Sequence, residues 1–319
     1  MGILTLRQVL ADAEAGGYAV GAFNVSSLDQ VVAVMEAAAA ERSPVIVQAI
    51  AGMSPYPDED AWWRQLRALV ASRADVPAVV HLDHGRTVQD CRRAIAAGFS
   101  SVMIDASRDP DTDAPADFEA NVRLTRAVVA IAHAAGVSVE GELGTIGGAE
   151  AGIQGIVEEI VFADPDSAAD FVAQTGVDAL AVAVGTSHGS VKFTDDAGGQ
   201  RLRIGLIEQI KAKLPDTYLV LHGSSSIPAD AVATINQHGG EVAPSYGIDT
   251  AQKQQGIRSG IRKINQGTDS HLSWTAALRT FLATHPAVVE PSEQLIPAMG
   301  AFTAIVRQRM REFGSSGRA

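Results

Sequence analysis

Short apolar runs alternate with longer stretches of helical periodicity along nearly the whole chain. The runs predict strands at 19–23, 44–48, 78–83, 101–104, 137–142, 178–184, 218–222 and 261–264. Between and after them, apolar positions at helical spacing predict helices at 27–41, 60–73, 87–97, 117–134, 166–174, 203–213, 228–237, 270–283 and 293–312. Eight strands, each followed by a helix, describe an α/β fold of the closed (β/α)8 TIM-barrel type with an additional C-terminal helix; a doubly wound open sheet is the alternative. No linker divides the chain, so residues 1–319 are expected to form one domain. Longer segments at 106–116, 143–163 and 189–200 follow strands and so fall on the rim where such barrels place chemistry, and a fourth lies at 241–256. Gly147, Gly148, Gly152 and Gly155 predict a mobile lid in the second segment. The small, polar tail from Gly314 to Ala319 is expected to fray.

Composition narrows the class. The chain is 46% hydrophobic but only 5% aromatic, as suits a barrel packed with aliphatic side chains. Its formal charge of −12 argues against nucleic acid or an anionic membrane as partner. An anionic substrate then needs a local positive site, either a metal ion or backbone amides. The single cysteine, Cys91, excludes an internal disulfide and a cysteine-rich metal site, and its place in a helix reads as packing. No basic region precedes an apolar signal core, and no apolar run approaches the roughly 18–20 residues of a membrane span. A cytoplasmic protein is expected.

Chemistry concentrates at the predicted strand ends. His81-Leu82-Asp83-His84-Gly85 ends the third strand, and two more His-Gly pairs, His188-Gly189 and His222-Gly223, follow the sixth and seventh. The C-terminal ends of barrel strands ring one mouth, so three imidazoles distant in sequence can share one ion. Zinc takes imidazole nitrogens and keeps one position open in a catalytic site. His84, His188 and His222 are therefore the candidate ligands, with His81 as support behind them. Glu140 and Glu142 alternate within the fifth strand and face the same side; Glu142, nearer the mouth, is a candidate further ligand, against a structural ion pair as the other reading. Asp105 also ends a strand, but nothing around it singles it out.

Two loops suit an anion. Gly223-Ser224-Ser225-Ser226 leads into the helix after the seventh strand, and Asn265-Gln266-Gly267-Thr268-Asp269 does the same after the eighth. Small residues before a helix N-terminus present amides to a phosphate, and these two loops hold the phosphate in many such barrels. Each loop taken alone also reads as a helix cap. Lys192 adds a candidate charge. Asp83, beside a candidate ligand, suits a general acid or base, and Glu150 in the glycine-rich segment is placed to be carried over a substrate. Lys263 is the one clear strand-end lysine for Schiff-base chemistry, but no group to activate it is apparent.

Taken together these residues resemble the class II, zinc-dependent fructose-bisphosphate aldolases. The match runs from Gly21-Ala22-Phe23-Asn24-Val25 and Pro44-Val45-Ile46-Val47-Gln48 through His81–Gly85, Glu140-Gly141-Glu142-Leu143-Gly144, Gly147-Gly148 and Gly185-Thr186-Ser187-His188-Gly189 to His222–Ser226 and Lys263-Ile264-Asn265. The resemblance implies that His84, His188 and His222 bind zinc, another divalent or an accompanying monovalent cation being compatible, and that Glu142 lies near an alternative zinc position. It implies that zinc chelates dihydroxyacetone phosphate and stabilises its enediolate. It further implies Glu150 as the proton-abstracting base, Asp83 as the acid–base group on the aldehyde oxygen, and Asn265 as a hydrogen-bond donor to the enediolate. Gly189, Gly223, Ser225, Gly267 and Thr268 match positions around the phosphate, and a homodimer or a higher homo-oligomer is implied.

The departures lie at the aldehyde end. Where the family commonly has Ser-Arg-Gly or Ser-Asn-Gly after the second strand, this chain has Ile50-Ala51-Gly52. Where it commonly has Asp-Pro-Arg, whose arginine reaches the far phosphate, this chain has Glu290-Pro291-Ser292. Ser26-Ser27 replaces a usual Asn-Asn pair, and Gln266-Gly267 replaces Val-Asp. An aldehyde with an altered or absent terminal phosphate is thus an alternative to glyceraldehyde 3-phosphate, unless Arg86 or Arg108 on the rim supplies a replacement cation. A zinc hydrolase and a non-catalytic sugar-phosphate binder compete on the same barrel; the serine-rich loops and Glu150 fit the first poorly, and the intact histidines and carboxylates argue against the second.

Overall fold

The structure is a computed structural model and describes residues 2–108, 116–144, 146–148, 161–188 and 201–319. Its strands are β1 (Val20–Asn24), β2 (Val45–Ile50), β3 (Ala78–Gly85), β4 (Ser101–Ile104), β5 (Ser138–Leu143), β6 (Gly147–Gly148), β7 (Ala179–Val182), β8 (Ser187–His188), β9 (Tyr218–Leu221) and β10 (Ile261–Gln266). The helices are α1 (Leu6–Gly16), α2 (Leu28–Glu41), α3 (Glu59–Ala71), α4 (Val88–Ala96), α5 (Phe118–Ala134), α6 (Pro165–Thr175), α7 (Ile204–Lys213), α8 (Ala229–Gln237), α9 (Thr250–Arg258), α10 (Thr268–Thr284) and α11 (Pro291–Glu312). Eight strands close into a parallel barrel in the order β1-β10-β9-β7-β5-β4-β3-β2, and β6 pairs with β8 separately. The predicted barrel with its extra C-terminal helix is therefore present, and the open sheet is excluded. Candidate residues Glu150, Gly189 and Lys192, with Gly152 and Gly155, lie outside the described residues, and for His188 only the backbone is described.

Alternation along the strands divides the lumen into two storeys. Near the bottom, Val20, Ala22, Ile46, Val79, Met103, Ala179, Ala181 and Val220 form one apolar cluster. The helix α1, absent from the sequence prediction, closes this end by adding Leu6, Val9, Leu10 and Ala13. Those positions recur at i, i+3, i+4 and i+7, so its inner face is continuous. Each buried leucine contributes about 1.5–3 kcal/mol. Two residues further up β2, β3 and β9 the lumen turns polar at Gln48, His81 and His222, which with Glu140 and Lys263 are all fully buried. A larger aliphatic layer seals the strands' outer faces under the helices.

Two further expectations are corrected. The segment at 241–256 contains α9, capped by the Asp249 side chain on Gln252 N. The C-terminal tail does not fray. Gly317 N donates to Glu41 O and Ala319 N to Arg42 O, each at 2.8 Å, while the buried Ser43 and Ser315 hydroxyls meet at 2.8 Å. Backbone hydrogen bonds hold a tail that carries no apolar signal.

Candidate metal centre

Asp83 and His84 are adjacent in β3, so regular pleating would send them to opposite faces. The pairing of β3 with β4 slips by one residue between Leu82 and Gly85, and His84 adopts φ 46°. This bulge turns both side chains into the mouth, a use of strain common beside active sites. Gly85 is required next, since a Cβ there would lie 2.7 Å from Met103 O. At the third candidate pair, Gly223 has φ 59° and a Cβ would meet the Ser187 backbone at 2.7 Å. The glycines after His84 and His222 thus serve close backbone approach.

The two described imidazoles are oriented by carboxylates. His84 Nδ1 lies 3.0 Å from Asp105 Oδ2, and His222 Nε2 lies 2.7 Å from Glu140 Oε1. An ionised carboxylate only accepts, so each of these ring nitrogens carries the proton. The opposite nitrogens, His84 Nε2 and His222 Nδ1, then present lone pairs to each other across 3.0 Å. Two acceptors at that distance repel unless a proton or cation is shared between them. Asp83 completes one group of ligand atoms with both histidines, and Asp105 and Glu142 complete a second with His84, all within 4.8 Å. Imidazole nitrogen and carboxylate oxygen are the donors that zinc and related divalent ions accept. The residues therefore fit a metal ion, and Asp105 and Glu140 would orient the histidines that hold it.

Beneath the mouth, Glu140 Oε2 pairs with Lys263 Nζ at 2.8 Å, both fully buried. Burial alone would raise the Glu140 carboxyl, but the Lys263 ammonium and the His222 hydrogen bond outweigh it and hold it well below the usual range. Asp105 is likewise held low against burial, by His84 and by the Ser107 hydroxyl at 2.6 Å. Burial first, then the Lys263 charge, push His81 down to about 3. Neutral His81 bonds Ser101 Oγ through Nδ1 at 2.8 Å. Lys263 donates to Asn265 Oδ1 at 2.8 Å as well, so it is committed to the network rather than poised as a nucleophile.

Asp83 is held by three amides. Asn24 Nδ2 and Gln48 Nε2 donate to Oδ2 at 2.8 and 3.0 Å, and Asn265 Nδ2 donates to Oδ1 at 3.0 Å. The parallel register brings them together, because Gln48 lies beside His81, and Ala22 beside Asn265. The two serine-glycine loops also meet: Gly267 N donates to Ser225 Oγ at 3.2 Å and Ser224 Oγ donates to Asn265 O at 2.9 Å. Neither loop caps its helix with a side chain, since α8 starts after Pro228 and α10 after Gly267. The anion reading is thereby favoured over the cap. Asp269 instead forms a buried pair with Arg309 at 2.8 Å.

The structure brings Asp83, His84, His222, Glu142, Asn265 and both loops together. Sequence reasoning passed over Asp105, Gln48 and the Lys263–Glu140 pair. For Gln48 and Asp105 the available signal was a polar side chain at the end of an apolar strand.

A closed parallel barrel whose mouth gathers histidines, carboxylates and two amide-rich loops defines a metal-dependent enzyme acting on an anionic substrate. The family model described as fructose-bisphosphate aldolase class-II matches residues 4–318. The fructose-bisphosphate aldolase of Pseudomonas aeruginosa is 44% identical over 329 aligned positions, covering 100% of this chain and 93% of the relative. That of Nostoc sp. is also 44% identical, over 100% and 92%. Among solved structures, the YdjI aldolase from Escherichia coli K12 superposes with a TM-score of 0.77 at 28% identity, covering 99% of each chain. The chain belongs to the class II fructose-bisphosphate aldolase family, which is metal-dependent. Among the described residues, no helix is long and apolar enough to cross a membrane.

Proposed function

We propose that this chain is a cytoplasmic, homodimeric, zinc-dependent aldolase that reversibly cleaves a ketose phosphate, such as fructose 1,6-bisphosphate, to dihydroxyacetone phosphate and an aldehyde. The observation that carries the reading is the pair of imidazole nitrogens facing each other across 3.0 Å, each ring backed by a carboxylate. His84, His188 and His222 would hold the ion, with Glu142 as an alternative ligand. When bound, zinc supplies Lewis-acid polarisation of the substrate ketone.

The remaining work falls to the chain itself. Asp83 takes the proton from the C4 hydroxyl in cleavage and returns it in condensation; Asn24, Gln48 and Asn265 fix its direction. Glu150 removes the proton from the three-carbon fragment in condensation. Asn265 orients that fragment, and Gly189, Lys192, Gly223, Ser225, Gly267 and Thr268 hold its phosphate. His222→Ala is expected to lose zinc and turnover together, measured by metal analysis and coupled assay; full metal occupancy in that variant contradicts the assignment.

A second reading concerns the aldehyde. Ile50 lies beside Asp83 in the β2–β3 register, so the β2 loop borders the acid–base group. There Gly52 N donates to Glu59 Oε1 at 2.7 Å, and Arg93 binds Glu59 and Asp60 at 2.9 and 2.8 Å. The rim thus spends an amide and a guanidinium on its own carboxylates. An aldehyde without a terminal phosphate fits this edge. Comparison of fructose 1-phosphate with fructose 1,6-bisphosphate tests it, and a strong preference for the bisphosphate sinks this second reading while leaving the first intact.

A further inference from the structure

The segment between α8 and β10, which the sequence left without a role, packs behind the loop that follows β9. Ile248 N donates to Ser225 O at 3.4 Å, and Ser226 Oγ donates to Ile248 O at 2.7 Å. From α9, Lys253 reaches the same hydroxyl, with Nζ 2.7 Å from Ser226 Oγ. Lys253 is wholly buried, and its ammonium lies 5.7 Å from the centroid of the Phe313 ring. A buried ammonium is costly unless its hydrogen bonds are met, so its direction is informative. The Ser226 hydroxyl has one hydrogen, committed to Ile248 O, and accepts from Lys253 through its lone pairs. These two bonds pin it from both sides.

Packing does not do this alone, because Ser226 also lines a cleft of about 940 Å³ between α8, α10 and α11. Arg309 lines the same cleft but binds Asp269 through Nε at 2.8 Å and Glu312 through Nη1 at 2.6 Å. The charge-assisted hydrogen bond to Ser226 comes from Lys253. Its hold passes onward, since Ser225, next to Ser226, accepts from Gly267 N and ties in the second loop.

We propose that Lys253 is a positioning residue for the substrate phosphate: through Ser226 it clamps Gly223–Ser226 in the shape that receives a dianionic phosphate monoester. The inference rests on the reading of this loop as the phosphate site. A clamped loop loses less freedom on binding, and a nearby ammonium favours the dianion.

The test uses the zinc-loaded enzyme and inorganic phosphate as probe, titrated by calorimetry, beside steady-state kinetics on the ketose phosphate. Lys253→Met is expected to weaken phosphate binding about tenfold and to raise KM to match, with kcat and zinc affinity unchanged. Lys253→Gln, which keeps a donor without the charge, is expected to recover part of that loss. Ser226→Ala removes the other end of the bond and gives the same direction should the lysine variants not fold. Wild-type phosphate affinity in the folded variants, or a fall in kcat with KM unchanged, overturns the clamp. Failure of the wild-type enzyme to bind phosphate overturns the phosphate-loop reading and the clamp with it.

Discussion

Glu140→Gln separates the two duties of the buried carboxylate. Glu140 faces Lys263 Nζ at 2.8 Å and His222 Nε2 at 2.7 Å, and all three side chains are fully buried. The amide keeps the volume and an acceptor but removes the counter-charge, leaving the Lys263 ammonium in the barrel. Breaking a buried pair from one side costs about 3–5 kcal/mol, which denaturant unfolding of the metal-free protein measures. Weakening the group behind a metal-ligating histidine typically costs about 10–100-fold in metal affinity, which chelator competition measures separately. Lys263→Met combined with Glu140→Leu removes both charges, so most of the stability should return. Metal affinity should not, because His222 still lacks its carboxylate. Metal-free Glu140→Gln as stable as wild type, or a double variant that binds metal normally, refutes the reasoning.

Two other expectations follow from groups away from the mouth. Hydrogen bonds from Arg311, then Ser316 and Arg307, hold the Glu41 carboxyl down from its ordinary 4.5 to about 2 against the opposing effect of burial. A depressed carboxyl stabilises fully above its unfolded value and loses that contribution as pH falls through the folded one. Glu41→Gln should therefore melt lower than wild type at pH 5, by the equivalent of about 2 kcal/mol, and the gap should narrow steadily towards pH 3; a constant gap rejects the account. Burial pushes the Cys91 thiol up to about 12, so the native protein should resist a thiol reagent at pH 8 and react once unfolded in urea; rapid labelling of the native protein would contradict this.

The barrel was legible because its buried strands are bounded apolar runs, and the site was legible where chemistry-bearing residues sit at their ends. The Asp83–His84 bulge was not: the motif shows two functional neighbours, but only the pairing with β4 explains how both enter one mouth. The helix α1 was passed over although Leu6, Val9, Leu10 and Ala13 carry a plain helical stripe. Its role is to plug a barrel, and a plug has meaning only once the barrel closes. Asp105 and Gln48 showed only as polar residues at strand ends, because the partners that give them a place in the site, His84 and Asp83, come from another strand. The docked tail was misread for a related reason, since its anchors are backbone bonds to α2 and its C-cap.

The same distinction bears on how such a site changes substrate while keeping its reaction. Asp83, Glu140, His222, Lys263 and Asn265 are buried on or at the ends of barrel strands, and each is bonded to a polar group from a different strand. Replacing any one strands a desolvated partner, at a cost of several kcal/mol for the charged members. Ile50 and Ala51 border the mouth only partly buried, and Ser292 sits in the first turn of α11, bonded locally to Glu290. Substitutions at such rim positions usually shift stability by no more than about 0.5 kcal/mol. The buried network proposed for the chemistry therefore resists change, whereas the edge proposed to meet the aldehyde can be rebuilt almost freely. The departures at Ile50, Ala51 and Ser292 are what a retained aldol reaction with an altered acceptor would leave behind.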